Sequence, residues 1–247
     1  MRVTLPFKTI CCVFVLFSIC VSPVRAQQGS DPVVTDSSPA LVLQYAHDNL
    51  SPDSRLYNGY EYIRNGTPAK GFPFYDSDGL QKARLSYDGI LYRDIPLEYD
   101  LVLDEVVIPD FTGKALIGLI SEKVGHFSIG AHYFRYVAAG AGAGAPPAGF
   151  YEVLLSSGPT TLFARREKKL VFPSNRDDPA RYDQRNDYYL VHDGRYYPVD
   201  SKDALLHALK DKSDAVKKYI RTARIRFKKR LETALVRTTA YYTQLSH

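Results

Sequence analysis

The sequence predicts an α+β fold: a short N-terminal helix, an antiparallel β-meander or partly closed barrel, and C-terminal amphipathic helices docked on the sheet. Three observations predict it. Between residues 56 and 200, Tyr, Val, Ile and Phe are dense and turn dipeptides recur at short intervals. The connections between these apolar runs leave no room for βαβ crossovers, so neighbouring strands run antiparallel. After residue 201 the apolar period lengthens to three and four, which is the spacing of a helix face.

The elements follow in chain order. Residues 1–26 read as a cleavable secretory signal: Arg2 and Lys8 are cationic, Ile10 to Val21 is apolar except for Ser18, and Val24-Arg25-Ala26 offers a cleavage site. This run is shorter than the ~20 apolar residues that span a bilayer, and Pro23 follows it closely, so no transmembrane helix is expected after cleavage. Lipid attachment at Cys20 is the alternative, although Ile19 is not the small residue expected before a lipidated cysteine. All three cysteines (Cys11, Cys12 and Cys20) lie inside the signal, so the exported chain would have neither disulfide nor thiolate chemistry and would rely on its core.

Residues 27–38 are polar and read as a disordered leader. Residues 39–247 then form one α+β domain. Pro39 suits the first turn of a helix over 39–50, with Leu41 and Tyr45 as its packing positions. Asp88-Gly89 and Asp193-Gly194 each join two alternating runs, the strongest short hairpin signal. Further hairpins are predicted around Asp104-Glu105, Gly130-Ala131 and Ser157-Gly158-Pro159, with a lone apolar strand over 115–120. The small-residue run Ala138 to Gly149 reads as a mobile hairpin loop.

The helical tail spans 201–247. Ser201 is placed to cap a helix beginning at Lys202. From Ser213 onward, Val216, Ile220, Ala223, Phe227, Leu231, Ala234, Thr238, Tyr241 and Leu245 step by three or four with no Pro or Gly, predicting one continuous helix. Charge is concentrated here. Residues 201–247 hold 12 Lys/Arg against 4 acids, a net of +8, whereas residues 27–200 hold 17 against 23, a net of −6. Lys217, Arg221, Arg224 and Lys228 step by four, three and four, forming a basic stripe beside the apolar one and a candidate partner-binding face. Were the apolar face free, such a helix would suit an anionic membrane surface; docked on the sheet, it leaves the basic stripe for a partner or for solvent.

The search for chemistry is mostly negative. The chain has no G-x-S-x-G elbow, H-E-x-x-H, P-loop or dinucleotide fingerprint, and the Gly-x-Gly-x-Gly of residues 140–144 runs into Pro146-Pro147 rather than a helix. Asp76-Ser77-Asp78-Gly79 lacks the further oxygen ligands of a calcium loop. His126 and His132 flank a hairpin, but no third metal ligand is apparent. Asp100, Asp104 and Glu105 surround a turn and are the carboxylates least implausible as a glycosidase-type acid–base pair. Tyr57, Tyr60, Tyr62, Tyr87, Tyr92, Tyr99, Tyr188, Tyr189, Tyr196 and Tyr197 would either pack at core edges or offer a stacking surface.

Several phrases together carry a resemblance: LYNGYEYI, GFPFY, YDGILYRDIPLEYDLVLDEVVI, ISEKVGHFSI, GFYEVL, and DYYLVHDGRYYPV leading into a basic helix. Over residues 40–245 the chain resembles a family of exported proteins of unknown function from Gram-negative bacteria of the Bacteroidota type. The resemblance implies export and a single domain and brings no activity.

The expectation is therefore an exported, non-catalytic protein of the cell envelope, periplasmic or outer-membrane-associated. It would serve as an accessory or binding module for another envelope protein or an anionic envelope surface, with no cofactor, no metal and no nucleic acid. The alternatives are an envelope-glycan hydrolase using Asp100, Asp104 and Glu105, and peripheral membrane attachment through the basic helix.

Overall fold

Two Asp-Gly turns fix the register of the first and last hairpins. Asp88 and Gly89, and likewise Asp193 and Gly194, all adopt positive φ, as a two-residue turn matched to strand twist requires. Tyr87 therefore faces Ile90, and His192 faces Arg195. The computed structural model describes residues 54–140, 144–175 and 178–245. The signal, the leader and the helix predicted over 39–50 lie outside the described residues.

Twelve strands form one sheet: β1 (Gly59–Tyr62), β2 (Ala69–Lys70), β3 (Gln81–Tyr87), β4 (Ile90–Asp100), β5 (Glu105–Pro109), β6 (Leu116–Leu119), β7 (Val124–Ile129), β8 (His132–Val137), β9 (Gly149–Ser157), β10 (Thr160–Val171), β11 (Ala180–His192) and β12 (Arg195–Pro198). Three helices follow, α1 (Lys202–Ala208), α2 (Ser213–Thr222) and α3 (Leu231–Gln244). The order is β1-β6-β5-β4-β3-β7-β8-β9-β10-β11-β12, antiparallel throughout, with β2 added in parallel to β11. The sheet is open, with β1 and β12 at its edges, so it is not closed into a barrel.

Strand β4 serves both ends of the first half. Its residues up to Leu97 pair with β3, and Glu98–Asp100 pair with β5. One aromatic-rich core uses both partners: Tyr87, Phe127 and Phe134 from one side with Tyr99, Val106 and Ile108 from the other. Tyr99 meets Phe127, Phe134 and Phe150 edge-on, with centroids 5.2–5.6 Å apart, the favoured geometry for ring quadrupoles. A second core joins Leu162, Ala164 and Leu190 of the sheet to Leu205, Val216, Ile220, Leu235 and Tyr242 of the helices. The C-terminal helices thus dock on the sheet by their apolar faces, and no helix among the described residues is long and apolar enough to cross a membrane.

Ser201 caps α1 as expected, its side chain accepting from the Ala204 N–H at 3.2 Å. Three expectations need correction. The second hairpin turns over Leu101–Asp104 rather than Asp104-Glu105, because Glu105 is a ladder residue opposite Asp100. Strands β10 and β11 form a further long hairpin that no turn dipeptide announced, pairing as far as Val171 with Arg181 across a charged ribbon that carries little apolar signal. Finally, the continuous tail helix is broken between Thr222 and Leu231. Tyr219 and Tyr241 show the consequence: their rings stack at 4.0 Å, whereas a straight helix would hold them about 33 Å apart.

The break is a Schellman turn. The Ile225 N–H bonds the Ile220 carbonyl at 3.0 Å and the Arg224 N–H bonds that of Arg221 at 3.2 Å, while Arg224 takes the left-handed conformation, φ 51°. An arginine there costs about 1–2 kcal/mol relative to ordinary backbone. Burial of Ile225 against the same core as Ile220 offsets it. The hairpin loop expected over Ala138 to Gly149 joins β8 to β9, and among its described residues Pro146 is buried while the Tyr151 hydroxyl donates to the Pro147 carbonyl at 2.8 Å. Gly149 has φ 145°, and a Cβ there would collide with the Asp104 carboxylate.

Phe127 is fully buried amid three aromatic neighbours, Tyr99, Phe134 and Phe150. We expect Phe127→Ala to cost about 3–5 kcal/mol in urea unfolding. Phe172→Ser, at a side chain 68% exposed, should stay within about 0.5 kcal/mol.

Candidate functional site

Opposed residues of an antiparallel ladder share a face, so register alone builds the first part of the site. Phe134 faces Glu152, Glu152 faces Ala164, and Ala164 faces Tyr188. Phe134 belongs to the first core and Ala164 and Tyr188 to the second. Glu152 therefore stands in the core-facing row between two apolar clusters, 4% exposed. His132 and Arg166, two residues along β8 and β10 from that row, project on the same side.

A buried carboxylate needs charge and hydrogen bonds to remain ionised. Arg166 gives Glu152 Oε2 two donors, Nε at 2.7 Å and a terminal nitrogen at 2.5 Å. His132 Nδ1 lies 2.5 Å from Oε1. The remaining arm of Arg166 donates to Glu232 Oε2 at 2.5 Å, and the Tyr188 hydroxyl donates to the same oxygen at 3.0 Å. Glu232 lies in the first turn of α3, where a negative charge also meets the positive end of the helix dipole. One guanidinium thus joins the sheet to the start of α3.

The local electrostatics follow from this arrangement. Burial raises the Glu232 carboxyl, but the Arg166 hydrogen bond and charge, with help from Tyr188, outweigh it and hold the group below its usual value. Tyr188 is pushed up to about 12 by burial and then by the Glu232 carboxylate. Burial alone would lower Arg166, yet Glu232 and Glu152 hold it above its ordinary range, so it stays charged.

The clamp leaves the segment between α2 and α3 at the surface. Residues 215–231 contain eight Lys/Arg and no acid. The Schellman turn projects Arg224 into an open groove of about 330 Å³ shared with Arg226, Lys229, Arg230 and Arg237. A second cleft, of about 800 Å³, runs between this segment and the start of α1, lined by Asp203, Ile220, Phe227 and Lys228 among others. α3 begins beside the first groove, and its N-cap residue Arg230 makes no side-chain capping bond. Its first N–H groups add partial positive charge to an already cationic corner.

The four residues of the predicted stripe are only partly gathered. Lys217 and Arg221 lie on α2, where Lys217 pairs with exposed Asp214 at 3.6 Å. Arg224 lines the first groove and Lys228 the second. Of the three predicted carboxylates, Asp100 and Glu105 face each other across β4 and β5, whereas Asp104 lies in the turn that joins them. Asp100 is 2% exposed and accepts from the Tyr62 hydroxyl at 2.6 Å and from the Val102 and Leu103 N–H groups. Asp104 accepts from the Tyr99 hydroxyl at 2.6 Å and the Phe150 N–H, and burial pushes its carboxyl up. Tyr62 and Tyr99 belong to different clusters, so Asp100 and Asp104 serve opposite sides of the sheet.

His126 faces Arg135 across β7 and β8, whereas His132 faces Ile129, so the two histidines project from opposite faces. No group of three or more metal-ligating side chains occurs among the described residues. Half of the ten tyrosines considered for a stacking surface are core. Tyr62, Tyr87, Tyr92, Tyr99 and Tyr188 are buried, and of the ten only Tyr60 is exposed.

Sequence reasoning missed Glu152, Arg166 and Glu232. A signal was present for one of them: Leu162, Ala164 and Arg166 follow a period of two, which places Arg166 on the core face. Comparison with known protein families, curated proteins and solved structures finds no match to this chain.

Removing Arg166 would leave the buried Glu152 carboxylate with His132 as its remaining partner. We expect Arg166→Ala to cost about 3–5 kcal/mol in chemical denaturation, and a Glu152→Gln/Arg166→Met pair to cost clearly less than that single change. The pH dependence has a definite sign. Because the folded Glu232 carboxyl is held below its ordinary value of 4.5, its contribution is fully present above about 4.5 and is lost as pH falls through the lower folded value. Glu232→Gln should flatten the melting temperature against pH in that acid window.

Proposed function

We propose that this chain is an exported, non-catalytic cell-envelope protein that binds another envelope component through the basic corner between α2 and α3. One observation carries the reading. Five cationic residues without an intervening acid, Arg224, Arg226, Lys228, Lys229 and Arg230, are displayed on a segment whose two ends are fixed, one by a Schellman turn and the other by the Arg166–Glu232 bond. Rigid display of uncompensated charge suits recognition of an anionic partner.

Two further observations support it over the alternatives. Asp100 and Asp104 are engaged by tyrosine hydroxyls and backbone N–H groups on different sides of the sheet, and Glu105 stands opposite an Asp100 already taken up by Tyr62 and two N–H groups, which favours turn-bracing acids over the convergent pair that glycoside hydrolysis uses. Val216 and Ile220 of α2 are buried on the sheet, so its apolar face is occupied by the protein itself, which favours a polar contact over insertion into lipid. The N-terminal export signal and the family resemblance belong to the same proposal.

Affinity capture from solubilised envelope, with the exported chain and its Lys217/Arg221/Arg224/Lys228→Glu variant, tests the reading. A near-stoichiometric component retained by the native protein and lost by the variant is expected. Capture of nothing, or equal retention by both, would overturn it.

A further inference from the structure

Arg224 is held in a backbone conformation that glycine adopts at no steric cost, and the result is that its side chain enters the first groove. Four of the five cations around that groove are arginines: Arg224, Arg226, Arg230 and Arg237, with Lys229 the fifth. None of their side chains makes an ion pair among the described residues, and the nearest acid in sequence, Glu232, is already bound to Arg166 and Tyr188. Like charges brought around one concavity repel each other and focus a positive field there. The adjacent start of α3, without a side-chain cap, adds its dipole in the same sense.

The chemistry of the lining narrows the ligand. Guanidinium groups present paired donors that match a tetrahedral oxyanion or a carboxylate. Five cations call for more charge than one carboxylate carries, and a phosphoryl group brings about −1.5 to −2 with three acceptor oxygens. The volume, about 330 Å³, also admits part of the molecule that bears it.

We infer that the groove formed by Arg224, Arg226, Lys229, Arg230 and Arg237 is a binding site for the phosphoryl group of a phosphomonoester. The inference rests on the reading of the basic corner as a contact surface and supplies the chemistry of the group contacted. The phosphomonoester is either a soluble phosphorylated compound or a lipid headgroup.

Two probes separate the sources. Glycerol phosphate is titrated into the exported chain by calorimetry, and the chain is sedimented with phosphatidylcholine vesicles with and without phosphatidic acid, all at fixed ionic strength. Saturable binding is expected in at least one arm: the titration alone marks a soluble ligand, and phosphatidic-acid vesicles alone mark a headgroup. Arg224→Gly preserves the left-handed turn, so the Arg224→Gly/Arg237→Gln variant should melt where the native protein does and bind at least about tenfold more weakly. Lys82→Gln/Arg84→Gln, which removes the same charge from the exposed side of β3, should bind as the native protein does. Arg237→Gln alone supplies the same test without touching the turn.

No binding in either arm, binding that survives the groove substitutions, or equal loss in both charge variants would overturn the inference. If phosphoryl binding fails while envelope capture still depends on the basic residues, the binding-module reading stands and this site falls. If glycerol phosphate binds and capture returns nothing, the site stands and the wider reading falls.

Discussion

Arg166 answers to two carboxylates, and the placement of the C-terminal half follows from that demand. Glu152 is set between two apolar clusters by the register of β8, β9 and β10, where an unpaired charge would be severely penalised. Arg166 satisfies it with two nitrogens and then has a third, itself largely buried, that needs an acceptor. That acceptor is Glu232, in the first turn of α3. Apolar burial can place a helix against a sheet with some freedom to slide and turn, whereas a charged hydrogen bond fixes one residue at one point. The helix core supplies the adhesion, and the Glu152–Arg166–Glu232 chain supplies the position.

The basic corner is a product of the same constraint. α2 ends where Ile225 folds back onto the core beside Ile220, and α3 starts where Glu232 reaches Arg166. The residues between must cross a set distance as a surface loop, and five of these eight side chains are cationic. Held in this way, the segment lines grooves with charge instead of laying it along a helix as an ordinary solvated stripe. The conformational cost at Arg224 is a local expense of this geometry, offset by the apolar contact of Ile225.

Much of the sheet was legible because hairpins are local. The Asp-Gly pairs carry their own φ preferences, and alternation fixes which side chains face inward. The charged ends of β10 and β11 were not, since a solvated run such as Asp183 to Asn186 has no apolar period to read. The tail shows a different limit. Its stripe keeps helical spacing across Ala223 and Phe227, and Phe227 does pack against the second core, but through a turn rather than along one axis. The usual sign of such a turn, glycine at the left-handed position, is replaced by arginine. As to the site, the cationic residues themselves were visible, but their grouping was not. Lys217 and Arg224 are one stripe on a straight helix and separate surfaces on a broken one. The buried clamp depends on three residues drawn from β9, β10 and α3, up to 80 positions apart in sequence between Glu152 and Glu232, a juxtaposition that only the folded ladder creates.

Amide hydrogen exchange of the Glu232→Gln variant tests the positioning role most directly, because it changes one charge and leaves the helix core intact. The account predicts that protection falls selectively in α3, over residues 234–242, while β9 and β10 keep native protection and the protein remains folded. Unchanged protection of α3, or a loss spread evenly over the sheet, would contradict the claim that the Arg166–Glu232 bond is what fixes this helix, and with it the basic corner, on the sheet.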